Sequence, residues 1–424
     1  MSHKGNSLSV NNVCLLSIIL LLSVLVSYGP AAPPVSSGTI PGESQVKELK
    51  VGCTLPLNQA MGIEAKKCLD IVVDQTNSDG GVRIKGETYK IKMIVYDDKY
   101  TADGGRAAVE KLVNEDKVKF LVAQLGSAPV LGGLPIAEDN KIPTIAYAVS
   151  DKIASTEFKY TYRQSGISGG NWVYLKKSFP NLKTMVAFTI DDETGRHNAR
   201  AQTTAGKAYM GIKVLPPVYF PRDTVDFAPF ATKIKNLNPD LVSFWGGLPG
   251  TQLGLQFKSL YEMGWRGVKT MSVINLGEIL SVCPKEAAEG LIFSYGDPTE
   301  FAKPTKAALR LKDAYVKKYG KWDYTGATLI DPFLVFVQML KKADSLDPAA
   351  IQAAVAGFQF QGIATKGAFI KRPDLGNDRV CDTMREVTIG VIRDGKATWP
   401  GLVTLDEVKA FAEIVYDHQG KWGY

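Results

Sequence analysis

From Leu49 to Arg163, short apolar runs alternate with stretches whose apolar positions recur at helical spacing. The runs predict strands at Leu49–Thr54, Lys90–Tyr96, Phe120–Ala123 and Pro143–Ala146. In the helical stretch that begins near Gly105, Ala108, Leu112 and Val113 share one face. Phe120-Leu121-Val122 is apolar without alternation, the pattern of a parallel strand buried on both sides. A second series has strands at Thr184–Thr189, Ile212–Pro216, Leu241–Phe244 and Lys269–Ser272, with helices near Ala199–Met210, Asp226–Leu237 and Thr251–Met263. Pro239-Asp240 stops one of those helices before the next strand. Strands alternating with helices predict parallel sheets. The fold class is therefore α/β, with two Rossmann-like lobes rather than one large sheet.

Beyond Tyr295 the pattern is mostly helical, at Lys303–Tyr319, Thr325–Lys342 and Asp347–Val355. With few strands of its own, this part must pack back on a lobe already built, most simply the first. A last helix starts at Thr404, where Glu407 completes a capping box.

Two parallel strands stop at short polar segments, Gly126-Ser127-Ala128-Pro129 and Ala148-Val149-Ser150. In open α/β sheets ligands bind outside the carboxyl ends of strands, so hydroxyls and backbone groups there suit a small polar ligand. Ser127 also suits a helix N-cap, and Ser150 the cap of a short helix from Asp151. Asp97-Asp98 and Asp191-Asp192-Glu193 are the carboxylate clusters, the second read as a solvated acidic loop. No Walker loop, HExxH or first-strand G-x-G-x-x-G is present, and His197 has no sequence partner for nucleophilic catalysis. The chain reads as a binding protein without a catalytic residue, cofactor or metal site.

Composition narrows the class. At 424 residues and 45% hydrophobic content the chain can fill two cores. A net charge of +7 without a Lys/Arg block or aromatic-basic interleaving argues against nucleic acid. Lys4 precedes an apolar stretch, Val13–Val26, too short for a membrane span and suited to a signal peptide. Residues 1–28 are read as that signal and 29–48 as an unstructured leader, which implies export. An uncleaved anchor stays open. Cys53, Cys68, Cys283 and Cys381 follow the leader, an even number that permits two disulfides or four buried thiols.

The succession of elements resembles the type I periplasmic solute-binding proteins of branched-chain amino-acid ABC transporters, from Lys50 to about Trp399. Supporting segments are Asn77-Ser78-Asp79-Gly80-Gly81-Val82, Asn238-Pro239-Asp240-Leu241-Val242, Glu289-Gly290-Leu291 and Ala314 to Gly320. The resemblance implies lobes joined by a three-strand hinge, with crossings near Arg163–Ser165, Phe293–Gly296 and beyond about Lys366. Residues 49–163 and 297–366 then form one lobe, 164–296 and 367–400 the other, and 401–424 a helical tail. It implies a monomer that closes on a small solute, an amino acid or organic acid, and presents it to membrane permease subunits. Ser127 matches the position that holds a ligand carboxylate; Ala148 and Ser150 match a carbonyl and a hydroxyl for the amine. Met61, Thr194 and Leu248 stand where the family has cleft aromatics. Where amino-acid binders place an acid, the sequence reads Val273-Ile274-Asn275, with no acid until Glu278. Asn275 is the nearer polar candidate, so a carboxylate lacking an α-amine stands as a candidate beside an amino acid, and leucine is expected to bind weakly. A ligand-sensing module of the same fold and an exported α/β enzyme remain alternatives.

Overall fold

The computed structural model describes residues 46–164, 169–244 and 249–419. The proposed signal peptide, nearly all of the leader, and Leu248 lie outside the described residues.

Six strands form the first sheet: β1 (Lys47–Leu55), β2 (Val82–Ile84), β3 (Glu87–Asp97), β4 (Phe120–Leu125), β5 (Thr144–Tyr147) and β6 (Thr161–Arg163). Their order is β2-β3-β1-β4-β5-β6, and only the β2–β3 pair is antiparallel. Every residue of β4 is buried, and its side chains divide between two cores. Phe120 and Val122 meet helix Ala60–Ser78 and helix Asp331–Ala343, while Leu121 meets Leu112 and Ala137 on the other face. That two-sided burial is why the run carries no polar alternation.

The second sheet contains β7 (Thr184–Ile190), β8 (Lys213–Val214), β9 (Val218–Phe220), β10 (Leu241–Phe244), β11 (Val268–Val273) and β12 (Ile292–Tyr295), all paired parallel. Its core is aromatic: Phe188 lies 5.0 Å from Phe220, and Phe244 lies 4.9 Å from Phe257 in edge-to-face contact. After β12 the chain returns to the first core through Leu311, Tyr315, Phe333 and Phe336.

Three departures from the sequence reading concern the C-terminal third. β13 (Gln359–Gln361), β14 (Lys366–Arg372) and β15 (Asn377–Arg385) make a small antiparallel sheet. Its Phe369 and Val380 bury in the first core while Met384 packs with Trp172, Val387 and Phe411, so residues 367–385 bridge the two lobes rather than belonging to the second alone. The third passage to the second sheet comes at Glu386, later than expected, because β14 and β15 pair with each other first. Next, β16 (Val387–Arg393) and β17 (Lys396–Val403) form a hairpin that extends the second sheet past β12. Finally, residues 401–403 close β17 rather than opening the helical tail. Helix Leu405–Gln419 starts with the expected capping box, Glu407 Oε2 accepting from the Thr404 amide at 2.8 Å, and buries Val408, Phe411 and Val415 against Trp172 and Val387.

The possible disulfides are corrected as well. Cys53, Cys68, Cys283 and Cys381 are all buried free thiols. Cys53 Sγ turns to the Ala123 carbonyl at 3.3 Å and Cys381 Sγ to that of Ala154 at 3.6 Å. Burial pushes the Cys283 and Cys381 thiols up to about 11. No described helix is long and apolar enough to cross a membrane.

Candidate functional site

A cavity of about 390 Å³ lies where the carboxyl ends of both parallel sheets face each other. The chain leaves β1 for β3 on one side and β4 on the other, so the first sheet reverses its winding between β1 and β4. The second sheet does the same between β7 and β10. Such switch points open a crevice in which ligands sit. Met61, Leu125, Ser127, Tyr147 and Ala148 line the cavity from the first sheet, and Thr194, Phe244, Met271 and Asn275 from the second.

Ser127 begins helix Ser127–Asp139, and its cap position is taken by Gly126 at φ +96°, without a side-chain cap. The helix is held close to helix Ala102–Asn114: a Cβ on Gly105 would stand 2.1 Å from the Pro129 carbonyl oxygen. Ser127 Oγ instead accepts from the amides of Val149 at 3.3 Å and Ser150 at 3.1 Å. With its acceptor capacity used, the hydroxyl proton is what Ser127 can offer to an anion. The Ser127 and Ala128 amides belong to the first turn and have no intrahelical acceptor, which adds donors at the positive end of the helix. Pro129 contributes none.

Ser150 is buried behind this wall and does not line the cavity. Its hydroxyl lies 3.5 Å from Glu193 Oε1, and it makes no side-chain cap to the short helix that follows. Asn275 lines the cavity while capping helix Leu276–Leu280, its Oδ1 accepting from the Glu278 amide at 3.2 Å and its Nδ2 reaching Thr325 Oγ1 at 3.4 Å. Glu278 also lines the cavity and is tied to the Gly250 amide at 2.7 Å. The second wall therefore carries an acid, three residues beyond Asn275. The acidic run 191–193 is a helix start rather than a free loop: Asp192 caps helix Glu193–Thr204 by accepting from the Gly195 amide at 2.8 Å, and it pairs with Arg222.

Charge at the cavity is held in check by a buried network. Asp151 meets Arg163 at 2.9 Å and Arg372 at 2.8 Å. Burial pushes its carboxyl up, but the two guanidiniums outweigh that and hold it well below the usual carboxylate range. Asp382 accepts from both Arg163 and Arg372. His197 lines the cavity with Nδ1 3.9 Å from Asp151. Burial, against the pull of Asp151, lowers the imidazole to about 4, so it is neutral near pH 7. Asp98 is buried at the end of β3, and desolvation raises it to about 6.

Sequence reasoning named only Thr194 of one wall as a ligand-site residue. Thr194, His197, Asn198 and Ala201 all line the cavity. They recur at helical spacing on one face, but that stripe is visible only if the helix starts at Glu193 rather than Ala199. Arg163, Tyr100 and Phe411 were not distinguished from ordinary core or surface positions either.

A sequence model of the periplasmic binding protein family matches residues 50–385. The chain belongs to that family. It is similar to the Leu/Ile/Val-binding protein homolog 8 of Brucella melitensis, 25% identical over 357 residues, or 76% of this chain and 84% of that one. It also resembles the branched-chain amino acid transporter substrate binding protein LivJ of Streptococcus pneumoniae, solved with isoleucine (TM-score 0.65, 19% identity, 84% of this chain and 99% of that one). An ABC transporter solute binding protein of R. palustris, solved with benzoate, has the same TM-score at 18% identity, over 84% of this chain and 96% of that one. These structures establish the type I fold that the succession of elements implied. In this periplasmic binding protein the family match ends at Arg385, so the β16–β17 hairpin and the C-terminal helix lie beyond it.

Proposed function

We propose that this protein is the extracytoplasmic solute receptor of an ABC importer, holding a small amino acid or related carboxylate and delivering it to the permease. The observation that carries this is the cavity at two facing switch points, where the Ser127 hydroxyl proton and a helix N-terminus offer donors for an anion. Isoleucine and benzoate, bound by LivJ and the R. palustris protein, share only a carboxylate and an apolar body. The Ser127 wall suits the first. Met61 and Met271 suit the second. An α-amine would find Glu278 on the opposite wall, so the reading admits amino acids as well as simple acids.

Mass spectrometry of solute retained by purified protein, followed by calorimetry with leucine, isoleucine, phenylalanine, benzoate and aliphatic acids, tests the reading. Saturable one-to-one binding of at least one carboxylate is expected. If no carboxylate is retained or bound, the reading fails. Glu278→Gln should weaken amino acids and spare benzoate. Export rests on the apolar stretch at Val13–Val26. N-terminal sequencing of the mature protein should begin between Tyr28 and Leu49, and intact Met1 in the cytoplasm would overturn it.

A further inference from the structure

Three helices meet on one side of the cavity: Gly170–Ser178, Glu193–Thr204 and the C-terminal Leu405–Gln419. Trp172 comes from the first, Gln202 from the second, and Phe411 and Val415 from the third; all four line the cavity. Phe411 reaches it because residue 169 is glycine. A Cβ there would stand 2.2 Å from the Phe411 ring, and Gly169 itself sits at φ +46°. Tyr209 fixes the other side of that ring in edge-to-face contact at 4.8 Å. The compartment is thus apolar and shaped by a helix that lies outside the family match.

Two amide side chains that line this surface carry buried oxygens. Gln202 is only 7% exposed, yet its Oε1 has no hydrogen-bond partner among the described residues. The same holds for Oδ1 of Asn171, which also lines the cavity. The Asn171 amino group is used, donating to Thr270 Oγ1 at 3.1 Å, and that of Gln202 donates to Asn198. Buried amide oxygens without donors are uncommon and call for a partner.

We propose that these helices form a tail subsite in the solute cavity, taking an apolar body tipped by a hydrogen-bond donor such as a hydroxyl. The proposal rests on the cavity being the solute site. Trp172, Phe411 and Val415 pack on the body, and the Gln202 and Asn171 oxygens accept from its tip. The C-terminal helix then acts as a specificity element, not only as a cover for the second core.

Calorimetry on the full chain compares 3-phenylpropanoate with 3-(4-hydroxyphenyl)propanoate. The matching uncharged alcohols run beside them, so that the subsite is read even if the carboxylate reading fails. Wild type should prefer the hydroxylated member of each pair by about tenfold, the contribution of one hydrogen bond. Gln202→Met, similar in size and lacking the acceptor, should abolish most of that preference. Phe411→Ala should weaken both members by about tenfold or more through lost apolar contact. Phe411→Leu, which keeps a buried side chain, should do so more mildly, and thermal melts confirm that each variant is folded. No preference in wild type, an unchanged preference in Gln202→Met, or unchanged affinity in folded Phe411 variants overturns the subsite. If the alcohols discriminate and the carboxylates do not bind, the subsite stands and the carboxylate reading falls.

Discussion

Ser127 carries the most weight of any single side chain. It receives two backbone amides and keeps a proton to donate, an arrangement that a helix cap would not require. Ser127→Ala should therefore weaken carboxylate binding by roughly ten- to a hundredfold, since a hydrogen bond to a charged group contributes about 1.5–3 kcal/mol. Calorimetry with the retained solute reads this, and unchanged affinity would return Ser127 to an internal brace. Its place at the cavity was legible from the strand end that precedes it, whereas a ligand role came only from the family resemblance and an N-cap was the competing use. Ser150 was legible only as a neighbour: nothing in its spacing says that its hydroxyl turns to Glu193. His197 gives a second test at this scale. Its unfolded value is near 6.5 and its folded value about 4. The unfolded chain takes up the proton first, so stability present in full above pH 6.5 is lost as pH falls toward 4. The loss is on the order of 3 kcal/mol. Urea midpoints at pH 7 and pH 4.5 should fall further in wild type than in His197→Gln. The raised Asp98 titrates alike in both and cancels in the comparison. Equal falls would show that the imidazole is not kept neutral by burial.

At the scale of elements, alternation told strands from helices well where burial is two-sided or cleanly amphipathic. Leu241–Phe244 is found as the pattern predicts it, and β4 extends the predicted run by two residues. The extension passes through Ala123, whose φ of +59° marks a bulge between Val122 and Gln124 that no composition signal announces. The β16–β17 hairpin was overlooked although Asp394-Gly395 carries the turn signal, with both residues at positive φ. What joins β6, β14 and β15 was beyond sequence reach, because it depends on charges far apart in the chain. Arg163, Arg372, Asp151 and Asp382 converge there, and Asp382 is wholly buried. Asp382→Asn leaves two buried guanidiniums short of a counter-charge, a loss of roughly 3–5 kcal/mol. Urea denaturation should show it as a lower midpoint at similar slope. Lys47→Ala, at the exposed Lys47–Glu87 pair, serves as the control that should not move the midpoint. An unmoved midpoint in Asp382→Asn would show that water or rearrangement compensates the pair.

For the whole molecule, the chain passes between the sheets after Arg163, after Tyr295 and at Glu386, and elsewhere stays with one sheet. Two such bodies on few connections move by hinge bending, and a solute held between them shifts the balance toward the closed form. Contacts that span the cavity include the Arg222 guanidinium over the Tyr100 ring at 5.3 Å and several polar pairs. Lys152 pairs with Glu193 at 3.1 Å, Asn275 reaches Thr325 at 3.4 Å, and the Tyr324 hydroxyl donates to the Ile274 carbonyl at 3.1 Å. The ion pair is exposed and contributes at most about 1 kcal/mol. A solute held on both walls adds to these contacts and favours the closed form. Small-angle scattering should therefore show a smaller radius of gyration at saturating solute than in the stripped protein. Glu193→Ala removes both Lys152 and Ser150 from the latch and should shift the stripped protein further open. Identical profiles with and without solute would mean that the two bodies form a rigid unit, and that release to a permease needs another mechanism.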